Sequence, residues 1–204
     1  MSRSILVLFA HPAYQKSRAN HSLLQAARGL DGLTLHDLYE QYPDFNIDTA
    51  REKELLLAHD LIVMQHPFYW YSSPALLKEW LDLVLEYGFA YGPEGTALHG
   101  KWLLSAITTG GSRGAYRSEG YNRFTIRQFL APFEQTAHLC GMRYLPPFVA
   151  HGMHRRPEAE ELAEHAALYR RALEALRDGH LDGDALDDSY YLNDILATGE
   201  QTDA

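Results

Sequence analysis

The chain has 204 residues, 46% hydrophobic and 22% charged, a composition that belongs to globular proteins and excludes disordered, collagenous and coiled-coil chains. Its net charge of −9 gathers at the end: eight of the 27 acids follow Arg177 with no Lys or Arg among them, leaving residues 1–177 with 18 bases against 19 acids. Neither part has the basic surface that nucleic acid or anionic lipid would require, and a lone cysteine, Cys140, excludes an internal disulfide and a multi-thiolate metal site.

The length suits one domain with an appendage, so residues 1–177 are assigned to a folded domain and 178–204 to an acidic C-terminal tail. The opening apolar run, residues 4–10, reads as a strand buried on both faces. No signal-peptide pattern leads into it, and no apolar run reaches the roughly 18 residues of a membrane span. A cytoplasmic chain without direct membrane insertion is expected. Ser17 is placed to cap a helix with Leu23, Leu24, Ala27 and Leu30 at helical spacing and Gly29 near its end. A strand follows at 33–38, a helix at 49–59, and a third strand at 60–66, stopped by Pro67.

Ser73 and Pro74 predict a helix start, a capping side chain followed by a first-turn proline. That helix should reach about Tyr87, bury Leu76, Leu77, Trp80, Leu81, Val84 and Leu85, and close at Gly88. Residues 101–109 form a fourth strand, and 125–141 a helix broken or bent at Pro132. The stretch 142–149, interrupted by Pro146 and Pro147, is a weaker strand suited to a sheet edge. Residues 157–178 are a closing amphipathic helix. Within the tail, the apolar stretch 190–196 predicts docking on a partner chain, with a frayed terminus as the alternative.

Five apolar strands separated by helices imply an α/β fold, a doubly wound five-stranded parallel sheet with helices on both faces. Ligands then bind at the carboxyl ends of the strands, near the switch in strand order. The loop after the first strand joins His11 to a helix start with Ser17, Arg18, Ala19 and Asn20. An anion fits there, although a capped helix after a strand is also ordinary. No Gly-x-Gly-x-x-Gly run and no Gly-Lys-Ser/Thr pair is present, which argues against a dinucleotide fingerprint or a P-loop.

After the third strand, Phe68, Tyr69, Trp70 and Tyr71 follow one another where the backbone must turn. Some must face a pocket for a planar ligand or, alternatively, plug a sheet edge or subunit contact. Thr108, Thr109, Gly110 and Gly111 end the fourth strand, and the glycines let backbone N–H groups approach a ligand. Tyr116, Tyr121 and Asn122 can line an open ring face. His151 and His154 have no carboxylate or thiol at ligand spacing, so no metal is assigned.

Several motifs together carry a resemblance: Ala10-His11-Pro12, residues 17–20, Asp37-Leu38-Tyr39, Tyr42-Pro43-Asp44-Phe45-Asn46-Ile47-Asp48, Gln65-His66-Pro67, Trp70-Tyr71-Ser72, residues 96–101 and 108–111. Over about residues 4–176 the chain resembles the flavodoxin-like NAD(P)H:quinone oxidoreductases. Within them it is similar to the ancillary subunits of glutathione-regulated potassium efflux systems, the KefF and KefG types. The resemblance implies a non-covalent flavin, FMN in preference to FAD because the C-terminal region of longer FAD-binding relatives is missing.

It further implies phosphate at His11 and residues 17–20, the ring against residues 68–71, and the polar ring edge at residues 108–111. A hydride would pass from NAD(P)H through flavin N5 to a quinone or other small electrophilic acceptor. Tyr116 stands where relatives place a charge-relay tyrosine, and Asn122 where they place its histidine, which leaves proton transfer as the open step. A homodimer, and a place on the cytoplasmic face of the inner membrane through an antiporter partner, are implied in the same way. Two rivals stay open: a regulatory flavin-binding subunit with little turnover, and a one-electron flavodoxin-type carrier.

Overall fold

The computed structural model describes residues 2–155, 157–181 and 183–198. In chain order the elements are β1 (Ile5–Phe9), α1 (Arg18–Ala27), β2 (Leu33–Asp37), α2 (Leu38–Gln41), α3 (Thr49–Ala58), β3 (Leu61–Pro67), α4 (Ala75–Val84) and β4 (Trp102–Thr108). They continue as α5 (Ile126–Phe129), α6 (Ala131–Leu139), β5 (Arg143–Tyr144), β6 (Phe148–Ala150), α7 (Ala159–Asp178), α8 (Asp184–Asp187) and α9 (Leu192–Thr198). The sheet is parallel, in the order β2-β1-β3-β4-β5, with β6 also paired to β4.

Strand alternation splits the core in two. Leu6 and Leu8 of β1 and Ile62 and Met64 of β3 face α3, α4 and α6 through Leu56, Trp80 and Phe133. Ile5, Val7, Leu61 and Val63 face α1 and α7 through Leu23, Tyr169 and Leu173. The expected doubly wound α/β architecture is therefore present. Because the order reverses between β1 and β3, the loops after β1, β3 and β4 open on one edge of the sheet.

Three local expectations need correction. The expected fifth strand is two pieces, because Trp102 pairs with Arg143 but Ala106 with Phe148. One extra residue is taken up where Pro146 and Pro147 have no N–H to donate. Ser73 does not cap α4: Pro74 is the N-cap residue, the Ser73 hydroxyl is buried without a partner, and the helix ends at Val84 rather than near Tyr87.

The tail segment 190–196 does not wait for a partner chain. Tyr191 and Leu192 are buried against the domain itself, as is Leu186 of α8. The break at Pro132 is as expected, with α5 ending at Phe129 and the proline in the first turn of α6. No helix among the described residues is long and apolar enough to cross a membrane.

Candidate functional site

Two adjoining hollows, of about 550 and 480 Å³, share Phe68, Tyr69, Gly110 and His154 and form one cleft along the carboxyl ends of β1, β3 and β4. A larger hollow of about 880 Å³ lies on the other side of His11 beside β2, but the donors described below gather in the cleft. The volumes are those of sites for drug- and cofactor-sized ligands.

At one end of the cleft stands the start of α1. The Ser17 hydroxyl oxygen accepts the backbone N–H and the side-chain NH2 of Asn20, each at 3.2 Å, which leaves its own proton available. The N–H groups of Arg18 and Ala19 have no acceptor among the described residues, and the positive end of the helix dipole points the same way. Asn20 differs from expectation. It is 1% exposed, its NH2 is spent on Ser17 and on Thr108 Oγ1 at 2.9 Å, and it offers the cleft only Oδ1, buried without a partner.

His11 Nδ1 accepts the Ala13 N–H at 3.0 Å. Burial holds its pKa below the usual value, so the neutral ring carries its proton on Nε2 as a donor.

The aromatic turn is a tight hairpin closed by the Ser72 N–H on the Tyr69 carbonyl at 3.0 Å. Its two central residues, Trp70 and Tyr71, have φ of 49° and 65°. Left-handed backbone in bulky residues costs about 1–2 kcal/mol each, strain of a kind that collects at functional sites. The strain fixes where the rings point. Phe68 is buried edge-on to Tyr71, Tyr116 and Phe129, while Trp70 stands 93% exposed at the rim. Tyr71 stacks on Phe129 at 4.8 Å and donates to Asn122 Oδ1 at 3.3 Å. Asn122 thus props the aromatic turn, and no side-chain hydrogen bond joins it to Tyr116 among the described residues.

At the β4 end, the carbonyls of Thr109, Gly110 and Gly111 accept the N–H groups of Met153, His154 and Gly152 at 2.9, 3.3 and 2.9 Å. The N–H groups of Gly110 and Gly111 have no acceptor among the described residues. A Cβ on Gly110 would collide with the His154 ring, so this glycine makes room for an imidazole of the chain itself.

Thr109 Oγ1 donates to the Gly111 carbonyl at 2.9 Å and lies 3.0 Å from His151 Nδ1. With its only proton committed, Thr109 must accept from His151, whose Nε2 is buried without a partner. Burial, then the nearby Arg113, lowers the His151 pKa to about 4. Tyr116 is buried beside it, its ring 5.9 Å from that of His151. Burial raises the Tyr116 pKa and outweighs the opposing influence of the nearby Thr109 side chain and Gly111 backbone, so the hydroxyl stays protonated.

The structure thus brings His11, Ser17, Arg18, Ala19, Asn20, Phe68, Tyr69, Trp70, Tyr71, Thr108, Thr109, Gly110, Gly111, Tyr116 and Asn122 around one cleft. Sequence reasoning missed His154, which borders both lobes, and His151, which supports Thr109. Both follow the last strand, on the same carboxyl edge as the other loops.

A family model described as the flavodoxin-like fold matches residues 3–173. The chain belongs to that flavodoxin-like family. It is 53% identical over 165 residues to the glutathione-regulated potassium-efflux system ancillary protein KefG of Serratia proteamaculans, covering 81% of this chain and 90% of that protein. Among solved structures, general stress protein 14 of Treponema denticola in complex with FMN is 38% identical with a TM-score of 0.80, covering 85% of this chain and 99% of that one. An NADPH-quinone reductase from P. pentosaceus is 32% identical with a TM-score of 0.75, covering 82% and 96%.

Proposed function

We propose that this chain binds FMN in the cleft and acts as an NAD(P)H:quinone oxidoreductase that also serves as an ancillary subunit of a potassium efflux antiporter. The observation that carries the reading is the convergence on one cleft of an anion-ready helix start, a strained aromatic turn and an acceptor-free glycine turn. The likenesses to KefG and to an FMN complex support it. The residues fit the cofactor. The phosphate would meet the N–H groups of Arg18 and Ala19, the Ser17 hydroxyl and His11 Nε2. The ring would lie along the aromatic turn, and its polar edge would meet the N–H groups of Gly110 and Gly111.

The chemistry supplied by a bound flavin is two-electron transfer, with hydride taken from NAD(P)H and passed to a quinone or similar electrophile. The protein's own part is positioning. Phe68 and Tyr71 wall the ring site, neutral His11 adds a donor without adding charge, and the Tyr116 hydroxyl stands as a donor near the ring edge. Trp70 and Tyr121 are 93% and 91% exposed at the cleft's open side, and Phe124 is exposed too. A second copy closing over this aromatic rim would make the chain a homodimer.

A second reading, regulation of an antiporter with little turnover, is favoured by the name of the KefG relatives. The test is the absorption spectrum of the purified protein, mass identification of the released chromophore, and stopped-flow mixing with NADPH and then a quinone. Released FMN and turnover of many quinones per protein support the enzyme. FMN without turnover supports the regulator, and a protein that neither carries nor takes up FMN overturns both.

A further inference from the structure

The tail leaves the family-matched region, which ends at residue 173, and returns to the cleft from behind. Leu192 donates its N–H to the Pro147 carbonyl at 3.1 Å. Asn193 then takes the part of a strand residue at the open edge of β6: Oδ1 accepts the Val149 N–H at 2.9 Å, and Nδ2 donates to the Val149 carbonyl at 3.2 Å. Next in sequence, Asp194 forms a two-pronged pair with Arg113, both N···O distances being 2.7 Å. The same guanidinium lies over the Tyr191 ring, 4.7 Å from its centroid.

Arg113 opens the single turn that carries Tyr116, whose N–H bonds the Arg113 carbonyl at 3.3 Å. Beneath that turn, Tyr191 meets the His151 ring edge-on at 5.6 Å, and His151 holds Thr109. Residues 109–116 are therefore gripped twice by the tail, at Arg113 through Asp194 and below Thr109 through Tyr191 and His151. Between the buried Thr109 and Tyr116 the loop is rich in turns and has no buried residue, the composition of a segment that opens easily.

We propose that the start of α9, with Tyr191 just before it, is an intramolecular clasp for this loop: Tyr191, Asn193 and Asp194 are positioning residues that set where Arg113, and with it Tyr116, stands against the cofactor. Its effect on cofactor binding rests on the FMN reading above; its effect on the loop does not. Loss of Asp194 would loosen the loop without touching any residue that borders the cofactor cleft. Restoring the pair with the charges exchanged would tighten it again.

Hydrogen exchange followed by mass spectrometry on the cofactor-free full chain tests the clasp. Asp194→Asn should speed exchange in residues 113–117 by about five- to tenfold, the scale of one well-aligned ion pair of half-exposed groups. Exchange in β1 and β3 should stay as it was, and FMN titration should show weaker binding. The double variant R113D/D194R should bring both readouts back toward the parent, and Asn193→Ala should loosen the loop in the same direction.

Loop exchange that is the same in Asp194→Asn and parent overturns the clasp, as does a uniform rise across β1 and β3, which would mark general destabilisation. A parent chain that takes up no FMN refutes the flavin reading instead, and the exchange data still decide the clasp.

Discussion

Glu52 and Asn20 are buried polar residues, at 0% and 1% exposure, on helices packed against opposite faces of the sheet. Glu52 is saturated. Oε1 accepts from His36 Nε2 at 2.7 Å and the Tyr42 hydroxyl at 2.5 Å, and Oε2 accepts from Trp80 Nε1 at 2.7 Å. Asn20 has spent its donors on Ser17 and Thr108 and keeps an acceptor with no partner. A saturated cluster can only hold elements together, here β2, α3 and α4. A cluster with spare donors and acceptors on a cleft has capacity for a ligand. The Tyr42 to Asp48 motif belongs to the first kind: Tyr42 serves Glu52, Asp44 turns the chain by accepting the Asn46 N–H, and Asp48 caps α3.

The largest effect should come from opening the saturated cluster. Glu52→Ala leaves three buried donors without an acceptor and should lower stability by about 3–5 kcal/mol in urea denaturation. FMN affinity of the fraction still folded should match the parent. Loss of affinity at unchanged stability would reverse the comparison and place Glu52 in the site.

Acid should distinguish the two kinds of group by where on the pH scale it acts. Burial alone would raise the Glu52 pKa, but its three hydrogen bonds prevail and hold it below the usual carboxylate value, so its contribution is lost only as pH falls below about 4.5. Burial lowers the pKa of His66 to about 4. The unfolded chain therefore takes up that proton first, and stability falls as pH drops from about 6.5 to 4. From pH 7 to 4.5 the His66 contribution is roughly 2–3 kcal/mol. Denaturation at both pH values should show more than that loss in the parent, because burial lowers the pKa of His151, His11 and His165 as well, and His66→Gln should remove only the His66 share of roughly 2–3 kcal/mol. An equally steep fall in His66→Gln would assign the loss to other groups.

What could be read before the structure follows the same division. Parallel strands buried on both faces leave long apolar runs, so β1, β3 and β4 were legible, as was Ser17, whose cap uses only local contacts. Ser73 misled because a hydroxyl before proline has the composition of a cap, while Pro74 itself took the capping position. His154 and the tail were not legible because their roles depend on contacts far along the chain, Gly110 for one and Val149 and Arg113 for the other. Local chemistry shows in a sequence; the partner of a long-range contact does not.

The aromatic turn allows binding and stability to be moved in opposite directions. Trp70→Gly removes a ring from the rim and a left-handed penalty from the backbone. Cofactor-free protein should gain about 0.5–1 kcal/mol in stability, the relieved strain less the entropy of the added glycine. FMN affinity should fall about tenfold, from lost stacking and apolar contact. Stability and affinity falling together would make Trp70 a packing residue instead.

The smallest change is Tyr116→Phe, which removes one oxygen from a ring that stays packed between Phe68, Phe129 and His151. Thr109 keeps its bonds to Gly111 and His151, so stability should drop by only about 0.5–1.5 kcal/mol, the net value of one hydrogen bond. Burial keeps this hydroxyl protonated well above neutral pH, so it acts as a donor and not as a base that titrates near neutrality. Reduction by NADPH in stopped flow should therefore slow by about three- to tenfold, with the same pH profile from 6 to 8 in variant and parent. A profile that changes shape in the variant would show a titrating group coupled to Tyr116, and His151, which Thr109 joins to it, would be the group to replace next.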